Sequence, residues 1–444
     1  MTNSDSNVLT TTDIEPSNEE LGKTQRWFFF DYIRAIGIIM IIFIHGIVYH
    51  YGLIQSIDLD NLNPFFMIIY VVLNWAGLFA FISAIVNTYS SFKRLENNFG
   101  NNISKPSWKA FGIRWIFLGV FFLIMNIAYN YLVGPFQLDF VTGDISHSLL
   151  PGVIRTGQFY SVAPAKIIQG SVFSMLGWNL IIMGLFFTFL FKNEQKFKEK
   201  KRRIILLILG IVIIMVSFVR IYLYDDFSNA IDGENYIVAY LIDIVAGNYF
   251  PLLPYLGFGL IGAYFGIILT YNPSKKKIRR LIWIGVGWIV AAIVAFIIPD
   301  SIYESLGLLD DVFFDYIIVM FEIGFFIVVG IPILLLFFNK RGDKTNPSHR
   351  DKKKISTIFL RFSTNSLTFF LLERPISETF ALILNLIIPG WNNYIWSCIL
   401  YGLFLVIFWF IVAFIWNLFD FKGSFEWLLS RFFKISGFQT DKKF

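Results

Sequence analysis

Cysteine is almost missing from this chain. Cys398 is the single one in 444 residues, which excludes an intrachain disulfide and argues against thiol redox chemistry. Histidine is scarce too: His45, His50, His147 and His349 are all there are. There is no CxxC pair and no clustered His/Cys spacing, so a zinc site has no sequence support. Charged residues make up only 15%. The net charge of +6 is concentrated in a few connections, where it marks membrane topology rather than a nucleic-acid surface. Residues 1–25 are polar and acidic, with neither an apolar core nor a small-residue cleavage site. They read as a disordered cytoplasmic tail rather than a signal peptide.

Apolar residues are what the chain has in excess: 56% hydrophobic, 19% aromatic and 52 phenylalanines, with a mean hydropathy of +0.64. This composition predicts an all-α integral membrane protein. Ten apolar segments can be drawn, near Trp27–Tyr49, Pro64–Tyr89, Trp108–Tyr131, Ile167–Phe191, Arg203–Tyr224, Phe250–Tyr271, Arg280–Pro299, Phe313–Phe338, Ser366–Ile388 and Tyr394–Leu418. Each approaches or exceeds the ~20 residues that cross a bilayer core of about 30 Å. The polytopic domain then occupies 26–437, followed by a short tail at 438–444. Lys and Arg fill alternate connections: Lys93, Arg94 and Lys105, then Lys192–Arg203, Lys275–Arg280 and Asn339–Lys354. The first connection, His50–Asn63, and those after Tyr224, Pro299 and Ile388 have none. The positive-inside rule therefore predicts both termini in the cytoplasm of a plasma-membrane protein.

Within the first segment, DYIRAIGIIMIIFIH (Asp31–His45) carries three ionisable groups. A helix turns about 100° per residue, so the step from Arg34 to His45 returns to one stripe, with roughly 16 Å between them. Buried charge costs about 2.5–3.5 kcal/mol on insertion scales and is retained mainly where it functions. Other such groups are Arg114, Arg220, Glu322 and the cluster Glu373, Arg374 and Glu378, which contains the helix-breaking Pro375. Counting from the inner ends of their segments puts Arg34 and Glu373 at equal depth, which predicts an ion pair with Asp31 nearby. His45 lies higher, in range of Arg220 and Glu322. A neutral imidazole in a dry site is a general base, but a structural histidine satisfied by a neighbouring helix fits the residue equally well. The long outer connection Leu132–Lys166, with Asp139, Asp144 and His147, reads either as a cover over an outward cavity or as a solvated loop.

In their order along the chain these segments resemble the membrane-bound acyltransferase superfamily, in its acyltransferase-3 and heparan-α-glucosaminide N-acetyltransferase-like branches. Asp31, Arg34 and His45 match the arginine–histidine spacing of that family's first span, with Ala35 where glycine is usual. LFAFISAIVNTYSSFKR resembles its F-x-x-x-S-G segment, with Ala84 replacing glycine, and FGIRWIFLG around Arg114 resembles the basic start of its third span. PLLPYLGFGLIGAYFG (Pro251–Gly266) and NSLTFFLLERP resemble further stretches, Glu373 standing where His or Gln is usual. GSFEWLLSRF (Gly423–Phe432) resembles the G-P-x-E-W close of related bacterial membrane proteins. The resemblance implies transfer of an acyl group, acetyl foremost, from cytoplasmic acyl-CoA to a hydroxyl or amine of a glycan or lipid-linked envelope acceptor. It implies His45 as base or transient acyl carrier, with Arg34 and Arg114 on the donor side. Acyl-CoA would be a co-substrate, with no tightly bound cofactor, no metal and no nucleic-acid partner; membrane lipid surrounds the chain. A secondary transporter or small-molecule channel is the alternative, since charged, proline-broken spans also build transport sites. A non-catalytic sensor or scaffold is a third.

Overall fold

A computed structural model describes residues 28–51, 76–100, 108–134, 137–138, 145–146, 148–159, 161–190, 200–247, 250–270, 275–298, 311–330 and 354–435. The terminal segments 1–25 and 438–444, the basic stretches 192–199 and 339–353, and His147, His349, Asp139 and Asp144 lie outside the described residues.

The described chain is an assembly of α-helices: α1 (Phe28–Val48), α2 (Ala76–Gly100), α3 (Trp108–Leu132), α4 (Leu149–Thr156), α5 (Pro164–Ile168), α6 (Val172–Leu190), α7 (Lys200–Val216) and α8 (Arg220–Asp232). There follow α9 (Tyr236–Ala246), α10 (Leu252–Thr270), α11 (Lys275–Ile297), α12 (Asp311–Phe325), α13 (Lys354–Thr364), α14 (Ser366–Ile387), α15 (Ile395–Leu418) and α16 (Phe425–Ile435). A two-residue antiparallel ladder, Gln137–Leu138 with Ile145–Ser146, lies between α3 and α4.

Among the described residues, six helices are long and apolar enough to cross a membrane: Asp31–Val48, Gly112–Leu132, Val172–Leu190, Leu252–Thr270, Ile278–Ile297 and Ile395–Leu418. The pair Arg203–Val219 and Tyr222–Asp232, bent by 59°, makes a seventh if it is one broken span. The chain is thus membrane-embedded and helical. Of the other three apolar segments, those around α2 and α12 are described only in part. The ninth is the single helix α14, preceded across Asn365 by α13, and its carboxylates and arginine dilute its hydropathy.

Two packed groups of helices emerge. In the larger, α10 is apolar on all sides and buried against α2, α6 and α7, as a helix without a polar face must be. Beside it α3 and α6 cross closely. A Cβ added at Gly119 would stand 2.6 Å from the Gly177 carbonyl oxygen, so only glycine lets these backbones approach. In the smaller group α1 packs on α13, α14 and α15 around Ile42, Phe369, Leu405 and Trp409. Tyr129 of α3, Phe173 of α6 and Leu371 of α14 form a third cluster that joins the two groups.

Candidate functional site

The smaller group holds most of the ionisable residues singled out by the sequence: Asp31, Arg34, His45, Glu373, Arg374 and Glu378. His45 stands three residues before the end of α1 and Glu373 seven after the start of α14. The His45 Nδ1–H donates to Glu373 Oε2 at 3.1 Å. The histidine side chain keeps 16% of its surface exposed, against 3% for the glutamate. Glu373 Oε1 has no hydrogen-bond partner among the described residues. With Nδ1–H engaged by the carboxylate, the proton-free nitrogen is Nε2, the arrangement that makes an imidazole an oriented base.

Arg374 is the next residue and faces another side of α14. It is 1% exposed, forms an ion pair with Glu378 one turn later, and its guanidinium lies over the Tyr49 ring, 4.3 Å from the centroid. Tyr49 in turn sits against the His45 ring, centroids 4.7 Å apart. The buried Tyr129 hydroxyl is within electrostatic reach of Tyr49, Glu373 and Arg374, so α3 closes the site from the larger group. An ion pair this deep is sustained only by its own geometry, because neither charge has water to turn to.

The expected pairing of Arg34 with Glu373 does not form: Glu373 is engaged by His45. The reason is that helical chain precedes Ser366. Asp31 accepts a hydrogen bond from the Ser363 hydroxyl at 3.0 Å, so α13 lies beside the first turn of α1. α14 therefore begins beyond that turn and not level with it. Arg34 remains half-buried on α1. Arg220 Nη2–H donates to the Gly247 carbonyl at 3.0 Å and its charge acts on Asp243. Glu322 is 1% exposed on α12, which packs with α11, α2 and α8. Arg114 is half-buried on α3, beside Trp115, which packs edge-on to Phe187 of α6.

Several polar groups escaped the sequence reading. His50 is buried; its Nε2 lies 2.8 Å from the Ser377 hydroxyl. Asn392 donates to the His50 carbonyl at 2.9 Å, and Tyr401 donates to the Ser377 carbonyl at 2.5 Å. The available signal was periodicity: Ser377 follows Glu373 by one turn and shares its face. Lys166 of α5 is 3% exposed. Burial and then the nearby Arg374 charge push its ammonium down to about 7. Asn126 and Asn130 of α3 hold this segment by donating to the Gln169 carbonyl at 3.2 and 2.5 Å. The second half of the long Leu132–Lys166 connection thus packs on α3 and α14, with α4 against α14. At the far side, burial raises the Asp243 carboxyl to about 7, against the lowering effect of a bond from the Gly170 backbone and of Arg220.

Among the described residues no group of three or more His, Cys, Asp or Glu side chains is placed to hold a metal ion. No family model, curated protein or solved structure matches this chain.

Proposed function

We propose that this chain is a plasma-membrane acyltransferase with ten spans and both termini in the cytoplasm. It moves an acetyl-type group from cytoplasmic acyl-CoA to a hydroxyl or amine of an envelope glycan or lipid-linked acceptor. The observation that carries the reading is the His45–Glu373 pair: a half-buried imidazole whose Nδ1–H is held by a buried carboxylate at 3.1 Å. In the reaction, His45 Nε2 takes the proton of the acceptor hydroxyl or amine as its oxygen or nitrogen attacks the thioester carbonyl. The new C–O or C–N bond forms, the C–S bond breaks, and the imidazolium returns the proton to the leaving thiolate. Glu373 fixes the ring and stabilises the imidazolium. Arg374, paired with Glu378 and capped by Tyr49, keeps α1 and α14 in register. Arg34 and Arg114 supply positive charge on the donor side, where an acyl-CoA carries its phosphates.

The test is mass spectrometry of envelope glycans and lipids from cells with wild-type protein, with His45→Ala, and without the protein. One acyl mass present only with wild type supports the reading; identical spectra in all three reject it. Reporter fusions after Lys201 and Lys353 should read cytoplasmic, and those near Asp232 and Ser305 external.

The transporter reading is favoured by one observation, the broken helices: the 59° bend around Arg220 and the interruption at Asn365. Solute flux into vesicles that persists in His45→Ala, without any acyl product, selects it.

A further inference from the structure

The closing motif GSFEW has no part in the chemistry above, yet its glutamate is one of the most heavily hydrogen-bonded carboxylates described. The need for it comes from the break. α14 starts at Ser366, separated from the end of α13 by Asn365 alone, so its first backbone N–H groups lack intrahelical acceptors. The residue at the N-cap position, Asn365, does not supply one; its Nδ2 is turned back onto the Arg361 carbonyl at 3.1 Å. Glu426 of α16 does. Its Oε1 accepts from the Leu367 N–H at 2.5 Å and the Thr368 N–H at 3.3 Å. Its Oε2 accepts from the Thr368 hydroxyl at 2.5 Å. The same hydroxyl accepts from the Phe425 N–H at 2.8 Å, at the first turn of α16. Two helix N-termini therefore cap each other, and a single carboxylate lies between their two positive dipole ends.

Asn365, non-helical between α13 and α14, is an element-terminal residue of the kind that absorbs hinge rotation. α14 would swing about Asn365 without a restraint at its first turn. Glu373 is five residues beyond Thr368, about 7.5 Å along a stiff helix, so any swing of that turn moves the carboxylate that holds His45. We infer that Glu426 is a positioning residue: from the C-terminal helix it clamps the first turn of α14 and so sets Glu373 against the His45 ring. Its consequence for catalysis rests on the acyl-transfer reading. Its consequence for the ring does not, and the experiment reads that directly.

Histidine labelled with ¹⁵N reports ring tautomers in the full-length protein in nanodiscs, and the chain has four histidines, with His45→Gln assigning the signal of interest. Wild type should show His45 fixed as the Nδ1–H tautomer. In Glu426→Gln that signal should shift toward mixed tautomers, and in Glu426→Asp it should return part of the way. Where acyl transfer is measurable, Glu426→Gln should lose about 10²-fold, as misplacement by an ångström does. An unchanged His45 tautomer in Glu426→Gln overturns the proposal. Should that variant not insert, Thr368→Val removes only the hydroxyl from the clamp. An unchanged His45 spectrum there overturns the proposal equally. A tautomer shift with no acyl product even in wild type leaves the clamp standing and removes the acyl-transfer reading.

Discussion

Glu373 and His45, 328 residues apart in the chain, meet at 3.1 Å with the carboxylate buried and the imidazole partly open. If the pair acts as one unit, its two members are not independent. Glu373→Gln keeps the shape and removes the charge, and should lower acyl transfer by about 10²–10⁴-fold. His45→Ala should abolish it. The double variant should be no worse than His45→Ala alone, because functions exercised through one group do not add. Initial rates of acetyl transfer in membrane vesicles provide the check, and a double variant with additive losses would separate the two residues.

Arg374 and Glu378 bury both charges of an ion pair on consecutive turns of α14. Glu378→Gln leaves an unpaired guanidinium in a dry site and should destabilise the fold by about 3–5 kcal/mol. Arg374→Met combined with Glu378→Gln should recover most of the loss, since neither charge then remains. Thermal unfolding in detergent reads both, and a double variant as unstable as the single one would refute the account.

α1 packs closely on α15 at Gly46, next to His45. A Cβ there would stand 3.0 Å from the Gly402 Cα and 2.9 Å from Leu405 Cδ1. Gly46→Ala should therefore cost about 1–3 kcal/mol through overpacking. Gly287, where a Cβ meets nothing within 4 Å, is the matching control, and Gly287→Ala should leave the melting temperature near wild type.

Stability should have a minimum close to pH 7, from two groups outside the spans. Asp243 rises from 3.8 to about 7 on folding, so between those values the folded state holds a proton that the unfolded chain has lost, and stability falls as pH rises. Lys166 drops from 10.5 to about 7. Above 7 it is neutral when folded and charged when unfolded, so stability recovers as pH rises toward 10.5. Each limb is on the order of a few kcal/mol. Asp243→Asn should flatten the acid limb and Lys166→Met the alkaline one in melts taken on either side of pH 7.

The amino-acid sequence alone determined that this is a helical membrane protein, because apolar runs near bilayer length have few other ways to satisfy their backbone. It also marked Asp31, Arg34, His45, Glu373 and Arg374, because charge is conspicuous where the surroundings are apolar. It did not determine who pairs with whom. That depended on α13, which sets Ser363 beside Asp31 near the start of α1 and leaves Glu373, farther along α14, to meet His45. Counting residues along one helix carries no information about where its neighbour is broken. In the sequence His50 is only the start of the first connection and Lys166 the end of a long one; tertiary packing brings Ser377 and Asn392 against the first, and Asn126 and Asn130 hold the segment of the second. The role of Glu426 was equally out of reach. A helix cap is local in most sequences; here Asn365 turns away, and the acceptor comes from a helix that only tertiary packing brings to the first turn of α14.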